Sequence, residues 1–137
     1  MTLETKTTSQ VADRLDILDL TARYNHAIDS GDGESWAQTF TPDGIFRSAR
    51  GDIAGHADLA KFASDWFAGS EDTRRHWVCN QVVEVDGDTA TQRAYLQLVR
   101  SGSEPTILST ARYEDQLTRG ADGWLFTVRH VMSDTQK

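Results

Sequence analysis

This chain has one cysteine, two prolines, no apolar run of membrane length and no excess of base, and each shortage closes off a class of protein. The lone Cys79 cannot form an internal disulfide, which excludes a disulfide scaffold and fits a reducing compartment. No segment approaches the roughly 18 apolar residues that a membrane helix needs. The opening residues MTLETKTTSQ lack the apolar stretch of a secretory leader, so a cytoplasmic protein without a membrane partner is expected. The 14 Lys and Arg are outweighed by 21 Asp and Glu, and a formal charge of −7 has the wrong sign for a phosphate backbone. A nucleic-acid partner is therefore not expected. Four scattered His and one Cys show no metal-ligand spacing, and neither a metal nor an organic cofactor is expected.

What is present suits one globular domain. A chain of 137 residues buries roughly 65–70% of its unfolded surface, and four Trp give it ample material for a core. Residues 1–8 read as a disordered lead-in and residues 9–134 as a single domain. From Ser9 to Ser30 the apolar residues Val11, Leu15, Leu18, Ala22 and Ile28 recur at helical spacing, with Asp13, Arg14, Asp16 and Asp19 assigned to the other face. Gly31 and Gly33 end that helix. A second short helix is predicted over Glu34–Phe40, a turn at Thr41-Pro42-Asp43-Gly44 and a strand over Ile45–Ala49. A third helix follows over His56–Ala68, its stripe being Leu59, Phe62, Ala63 and Trp66.

The second half changes character. Residues 75–85, 89–100, 106–118 and 124–133 are rich in β-branched and aromatic residues and are separated by short glycine-containing turns. They predict a four-stranded antiparallel meander. Helices first and sheet later is the α+β pattern, with helices covering one face of a curved sheet. Strand parity places His76, Val78, Asn80 and Val82 on one face, with Trp77, Cys79, Gln81 and Val83 on the other. On the last strand it places Leu125, Thr127, Arg129 and Val131 opposite Trp124, Phe126, Val128 and His130.

Four polar groups stand out as candidate catalysts. Asp29 closes the first helix, where its charge opposes the helix dipole and calls for a partner. His76 opens a strand and could take a proton if a carboxylate fixed its tautomer. Tyr24 and Arg129 could donate to developing negative charge. Each has an ordinary alternative: a helix-end turn residue for Asp29, a surface or core imidazole for His76, core packing for Tyr24 and a surface ion pair for Arg129. No Gly-x-Ser-x-Gly elbow exists, and Cys79 would point away from His76, so covalent catalysis is rejected. Asn80 is a candidate for orienting substrate, and Trp36, Phe62, Trp66 and Tyr95 for cavity wall or core.

Several local signatures occur in a telling order: Arg23-Tyr24-Asn25-His26-Ala27-Ile28-Asp29 with Trp36, then Phe40-Thr41-Pro42-Asp43-Gly44, His76-Trp77-Val78-Cys79-Asn80, Val85-Asp86-Gly87-Asp88-Thr89-Ala90 and Gly123-Trp124-Leu125-Phe126. With the order of elements they resemble the SnoaL-like, nuclear-transport-factor-2-like family. The resemblance covers roughly residues 10–134 and implies a cone-shaped antiparallel sheet covered by three N-terminal helices. That fold hosts hydratases, isomerases, cyclases and binding modules. In site pattern the chain is similar to scytalone dehydratase, the bile-acid dehydratases and hexachlorocyclohexane dehydrochlorinase. There an Asp at the end of the first helix pairs with a His on the first long strand, as Asp29 and His76 would here. The Arg of the last strand corresponds to Arg129, and Tyr24 resembles the dehydratases rather than the dehydrochlorinase, which has Lys there. A second acidic residue found in the bile-acid enzyme has no clear counterpart.

The resemblance thus implies a cofactor-independent lyase, of dehydratase type, acting on a small, mostly apolar cyclic molecule. A ketosteroid-isomerase-like isomerase or a polyketide aldol cyclase would share its proton abstraction. A non-catalytic ligand-binding or dimerisation module is the alternative from another class. The relatives also imply a dimer or trimer formed through the outer face of the sheet.

Overall fold

A computed structural model describes residues 7–135; the expected lead-in therefore lies, apart from Thr7 and Thr8, outside the described residues. The first helix, α1 (Thr8–Ser30), starts at a capping box in which Thr7 and Gln10 satisfy each other's backbone N–H groups. It ends at Gly31, whose φ of 77° is the left-handed conformation that glycine adopts without strain. The short α2 (Gly33–Ala37) follows at once, then β1 (Phe40–Ser48) and β2 (Gly51–Ala54). The third helix, α3 (His56–Ala68), has the predicted bounds. Its residue Ala60 comes so close to Gly33 that a Cβ there would lie 2.3 Å from the Ala60 carbonyl oxygen. Four long strands complete the chain: β3 (Arg74–Asp86), β4 (Thr89–Arg100), β5 (Thr106–Gly120) and β6 (Gly123–Ser133).

The strands form one six-stranded sheet in the order β2-β1-β6-β5-β4-β3, antiparallel throughout except where β1 runs parallel to β6. The fold is the expected α+β arrangement, with two local corrections. Residues 41–44 are not a turn between elements but an irregular part of β1, whose register on β6 shifts between Phe40 and Ile45. The short β2 was not expected, and α2 stops three residues before the predicted Phe40.

Helix α1 also turns a different face inward. Val11 and Leu15 are 48% and 60% exposed, and Ala22 is exposed as well. The buried stripe is instead Asp13, Ile17, Leu20, Tyr24, Ala27 and Ile28, recurring every three to four residues. Asp13, expected on the solvent face, accepts bonds from Arg119 and from the Trp124 indole N–H. Arg119 also pairs with Asp88, so this cluster fastens the start of α1 to the β5–β6 end of the sheet. Around Tyr24, the rings of Trp36, Phe40, Phe46, Phe62 and Phe126 fill the narrow end of the cone at centroid distances between 5.2 and 6.1 Å.

Two bulges decide which side chains face this core. At Asn80 the backbone takes φ 55°, and the register on β4 slips between Cys79 and Val82. Asn tolerates this left-handed conformation better than most residues. At Thr127 the β5–β6 register slips between Gln116 and Leu117. Each bulge inverts the alternation beyond it. Gln81 and Val83 therefore join His76 and Val78 on the inner face, and Arg129 and Val131 join Trp124 and Phe126.

Candidate active site

The last turn of α1 meets the start of β3, and this brings Asp29 to His76. The Asp29 carboxylate accepts from His76 twice: from the backbone N–H at 3.1 Å and from ring Nδ1 at 2.7 Å. This is the partner that a carboxylate at a helix C-terminus requires. With Nδ1–H given to Asp29, the other ring nitrogen, Nε2, carries the lone pair, and it makes no hydrogen bond among the described residues. The His76 side chain is 10% exposed and that of Asp29 20%, so the pair is sheltered but reachable. Trp66 packs against the imidazole with ring centroids 5.2 Å apart.

Tyr24 and Arg129 sit deeper. Tyr24 is 1% exposed, and burial pushes its hydroxyl well above the usual phenol range, with Tyr113 adding to the rise and Arg129 partly offsetting it. Arg129 is fully buried. Its guanidinium carbon lies 3.5 Å from the centroid of Tyr113, 4.4 Å from that of Tyr24 and 4.8 Å from that of Phe126, a cation held between aromatic faces. Its Nε is 3.2 Å from Asp115 Oδ1, close enough for an ion pair but not aligned for a hydrogen bond. The expected direct donation from Arg129 to a ligand is therefore corrected: two tyrosine rings stand in front of it.

The remaining candidates divide. Trp66 borders His76, and Phe62 is half-buried against Trp36 and Phe46. Trp36 is wholly buried in the aromatic core. Asn80 is exposed at its bulge, because the bulge turns it off the His76 face. Tyr95 is 54% exposed; it pairs in register with Cys79 on the outer face. These last two belong with Arg93, Arg112 and Glu114 in a groove outside the cone.

Sequence reasoning missed a buried polar ladder. Gln81 donates to Gln92 at 2.8 Å, Gln92 donates to Asp115 at 2.9 Å, and Asp115 faces Arg129. Burial raises Asp115 above the usual carboxylate range, and Arg129 and the Gln92 hydrogen bond pull it back. It also missed Tyr113, which is 2% exposed. A signal existed: Ala111, Tyr113, Asp115 and Leu117 alternate along β5, and all four are buried.

Open space borders the pair between α1 and β3, where a cleft of about 540 Å³ has Asp29, His76, Asn25 and Val78 among its lining residues. A recess of about 230 Å³ is lined by Leu96, Leu98, Ala111, Val131 and Ser133 from the sheet and by Ser48 to Arg50 from the β1–β2 turn. Leu98 is the cross-strand partner of His76, and Leu96 that of Val78. Such partners stand roughly 5 Å apart at Cβ, so the recess reaches the neighbourhood of the imidazole. A larger cleft of about 760 Å³, running from Gln10 and Arg14 to Gln116 and Thr118, lies at the other end of α1 and does not include the Asp29–His76 pair.

Known proteins agree with this architecture. An uncharacterized protein of Mycobacterium tuberculosis, Rv2910c, is 32% identical over 120 residues, covering 85% of this chain and 82% of the relative. Among solved structures, Rv3472 from Mycobacterium tuberculosis, a protein of unknown function, superposes with a TM-score of 0.86 at 31% identity, over 92% of this chain and 74% of that one. ActVI-ORFA from Streptomyces coelicolor gives a TM-score of 0.80 at 27% identity, over 88% of this chain and 97% of its own. The SnoaL-like domain model matches residues 9–130, and with the cone, the helices and the order of strands in agreement, the chain belongs to the SnoaL-like family.

Proposed function

We propose that this protein is a cofactor-independent acid–base enzyme, a lyase of dehydratase type acting on a small, mostly apolar cyclic substrate that carries a carbonyl and a β-hydroxyl. The observation that carries the reading is the 2.7 Å contact between His76 Nδ1 and Asp29, which leaves Nε2 available to take a proton, in a pair that lines a cleft. The family includes cyclases and isomerases, which rely on the same opening step.

In the proposed reaction, Nε2 of His76 removes a proton from the carbon next to the substrate carbonyl. The C–H electron pair forms an enolate, and Asp29 stabilises the resulting imidazolium. The enolate oxygen is stabilised by the phenol of Tyr24 and by the buried charge of Arg129 behind it, in surroundings where little water screens that charge. As the enolate collapses, the C–O bond to the β-hydroxyl breaks and the imidazolium returns its proton to the departing oxygen. The products are one water and a conjugated ketone. If the substrate lacks a leaving group, the returned proton gives isomerisation, and an internal carbonyl gives aldol cyclisation. Trp66, Phe62 and the leucines of β4 supply the apolar walls.

The test is to incubate the protein with a panel of hydroxylated cyclic ketones, following loss of water by mass spectrometry and conjugation by absorbance. Turnover that disappears in His76→Ala supports the reading. Equal turnover in that variant would overturn it.

A further inference from the structure

We propose that Asn25 is a substrate-binding residue of the same site, its side-chain amide holding the hydroxyl group that the substrate loses. This rests on the acid–base reading above and gives that site a residue that tells hydroxylated ligands from their hydroxyl-free counterparts.

Three polar residues stand about one turn apart along one face of α1: Thr21, Asn25 and Asp29. The outer two are bonded to the sheet. Asp29 accepts from His76 near the start of β3. Thr21 accepts from Gln92 at 3.1 Å, and Gln92 accepts in turn from Gln81, further along β3. Asn25 lies between those anchors on the helix, and Val78 lies between them on the strand, with no polar group to offer. Asn25 is 9% exposed, and its buried Oδ1 has no hydrogen-bond partner among the described residues. A buried amide left unpaired costs free energy that an apolar side chain of similar size would not. Something outside the chain is needed to complete it.

The cleft between α1 and β3 is where that partner fits. Asn25, Asp29, His76 and Val78 all line it, so one ligand bound there meets the imidazole and the amide together. Of the other polar α1 residues in the cleft, Ser30 donates to the Ala27 carbonyl and His26 is exposed. Asn25 is the buried one left uncommitted. In the proposed reaction the substrate carbonyl has Tyr24 and Arg129, whereas the hydroxyl has only the proton that His76 returns to it. That return requires the hydroxyl to lie close to His76, in the cleft that Asn25 lines. A hydroxyl both donates and accepts, so it pairs with either end of a carboxamide. Asn25 thereby holds the C–O bond near the imidazole until it breaks, and holds the water afterwards.

The experiment uses 2-naphthol and naphthalene as probes, two fused rings that differ only by a hydroxyl. Dissociation constants for both are measured by NMR titration with the wild type, Asn25→Leu, Asn25→Ala and His76→Ala, and each protein's urea midpoint is recorded. A neutral hydrogen bond is worth roughly 3- to 10-fold in affinity, and the wild type should prefer 2-naphthol by that factor. Both Asn25 variants should bind the two probes equally. Asn25→Leu should also unfold at a higher urea concentration than the wild type, because it removes a group that the free protein leaves unpaired. A merely structural amide would give the reverse, a lower midpoint with the preference unchanged, and that result would overturn the assignment. A preference lost in His76→Ala and kept in both Asn25 variants would overturn it too, while leaving the acid–base reading intact. A wild type that binds neither probe, or both equally, would also end the claim that this cleft reads a hydroxyl.

Discussion

The molecule holds two pairs of a carboxylate and a basic group on the inner face of one sheet, and they differ in depth. Asp29 and His76 meet at the rim between α1 and β3, aligned at 2.7 Å and partly open. Asp115 and Arg129 meet in the middle of the sheet, at 3.2 Å, both side chains fully buried and the cation wrapped by aromatic rings. In the proposed reaction the rim pair is the one that exchanges protons with the ligand. The central pair does not, and its influence reaches the cone as a field. The same chemical ingredients thus give a reagent at one depth and a fixed charge at another.

The sharpest way to break this contrast is at the rim. His76→Ala should lower turnover by roughly 10²–10⁴-fold, the range for loss of a general base, while the urea midpoint stays near that of the wild type. Asp29→Asn should also cost a large factor in turnover, because the amide neither fixes the tautomer nor stabilises the imidazolium; kcat measured beside the His76 variant checks the order. The central pair should behave the other way. Asp115→Asn leaves Arg129 without its counter-charge and should destabilise the fold by about 3–5 kcal/mol in urea titration, before any catalytic effect is considered. A variant that lost activity at full stability would contradict the separation by depth.

A third carboxylate sharpens the comparison through pH. Asp13 is held below the usual carboxylate range, chiefly by its hydrogen bond from Arg119, with burial opposing and Trp124 assisting. Its folded pKa lies below its unfolded value of about 3.9, so its stabilisation is present above that pH and is lost as pH falls through the folded value. Asp13→Asn should therefore be less stable than the wild type at pH 6, with the gap narrowing below pH about 4 when urea midpoints are compared. The smallest effect is expected outside the cone: Tyr95→Ser should change stability by no more than about 0.5 kcal/mol and leave turnover unchanged.

Much of the fold was legible because its signals are local. The bounds of α3, the breaks between β3, β4, β5 and β6, and the end of α1 at Gly31 follow from periodicity, turn residues and a left-handed cap. The pairing of Asp29 with His76 was legible only through family resemblance, since it joins residues 47 positions apart. What was not legible depends on packing or on bulges. The inner face of α1 carries Asp13, Thr21 and Asn25, so hydropathy pointed to the wrong stripe. Asn80 and Val82 looked like face-mates of His76, yet a single left-handed residue put them outside. The Asp115–Arg129 pair was hidden because nothing in spacing says that two charges on neighbouring strands will both be buried.

The bulge at Thr127 carries a consequence for how this sequence tolerates change. A β-strand has a reading frame of two, and Thr127 is a frameshift written into β6. Delete that one residue and the ladder closes without a bulge: Phe126 still meets Leu117, Val128 still meets Gln116, and Arg129 still faces Asp115. Were Thr127 kept but paired in line, Val128 would turn inward, His130 would enter the core, and the cation that Asp115 faces would be out in water. Substitutions at Thr127 are mild by comparison, since its hydroxyl makes only one bond, to the Gln116 carbonyl. At this position it is the step out of the ladder, and not the side chain that takes it, that keeps the two halves of the strand in phase.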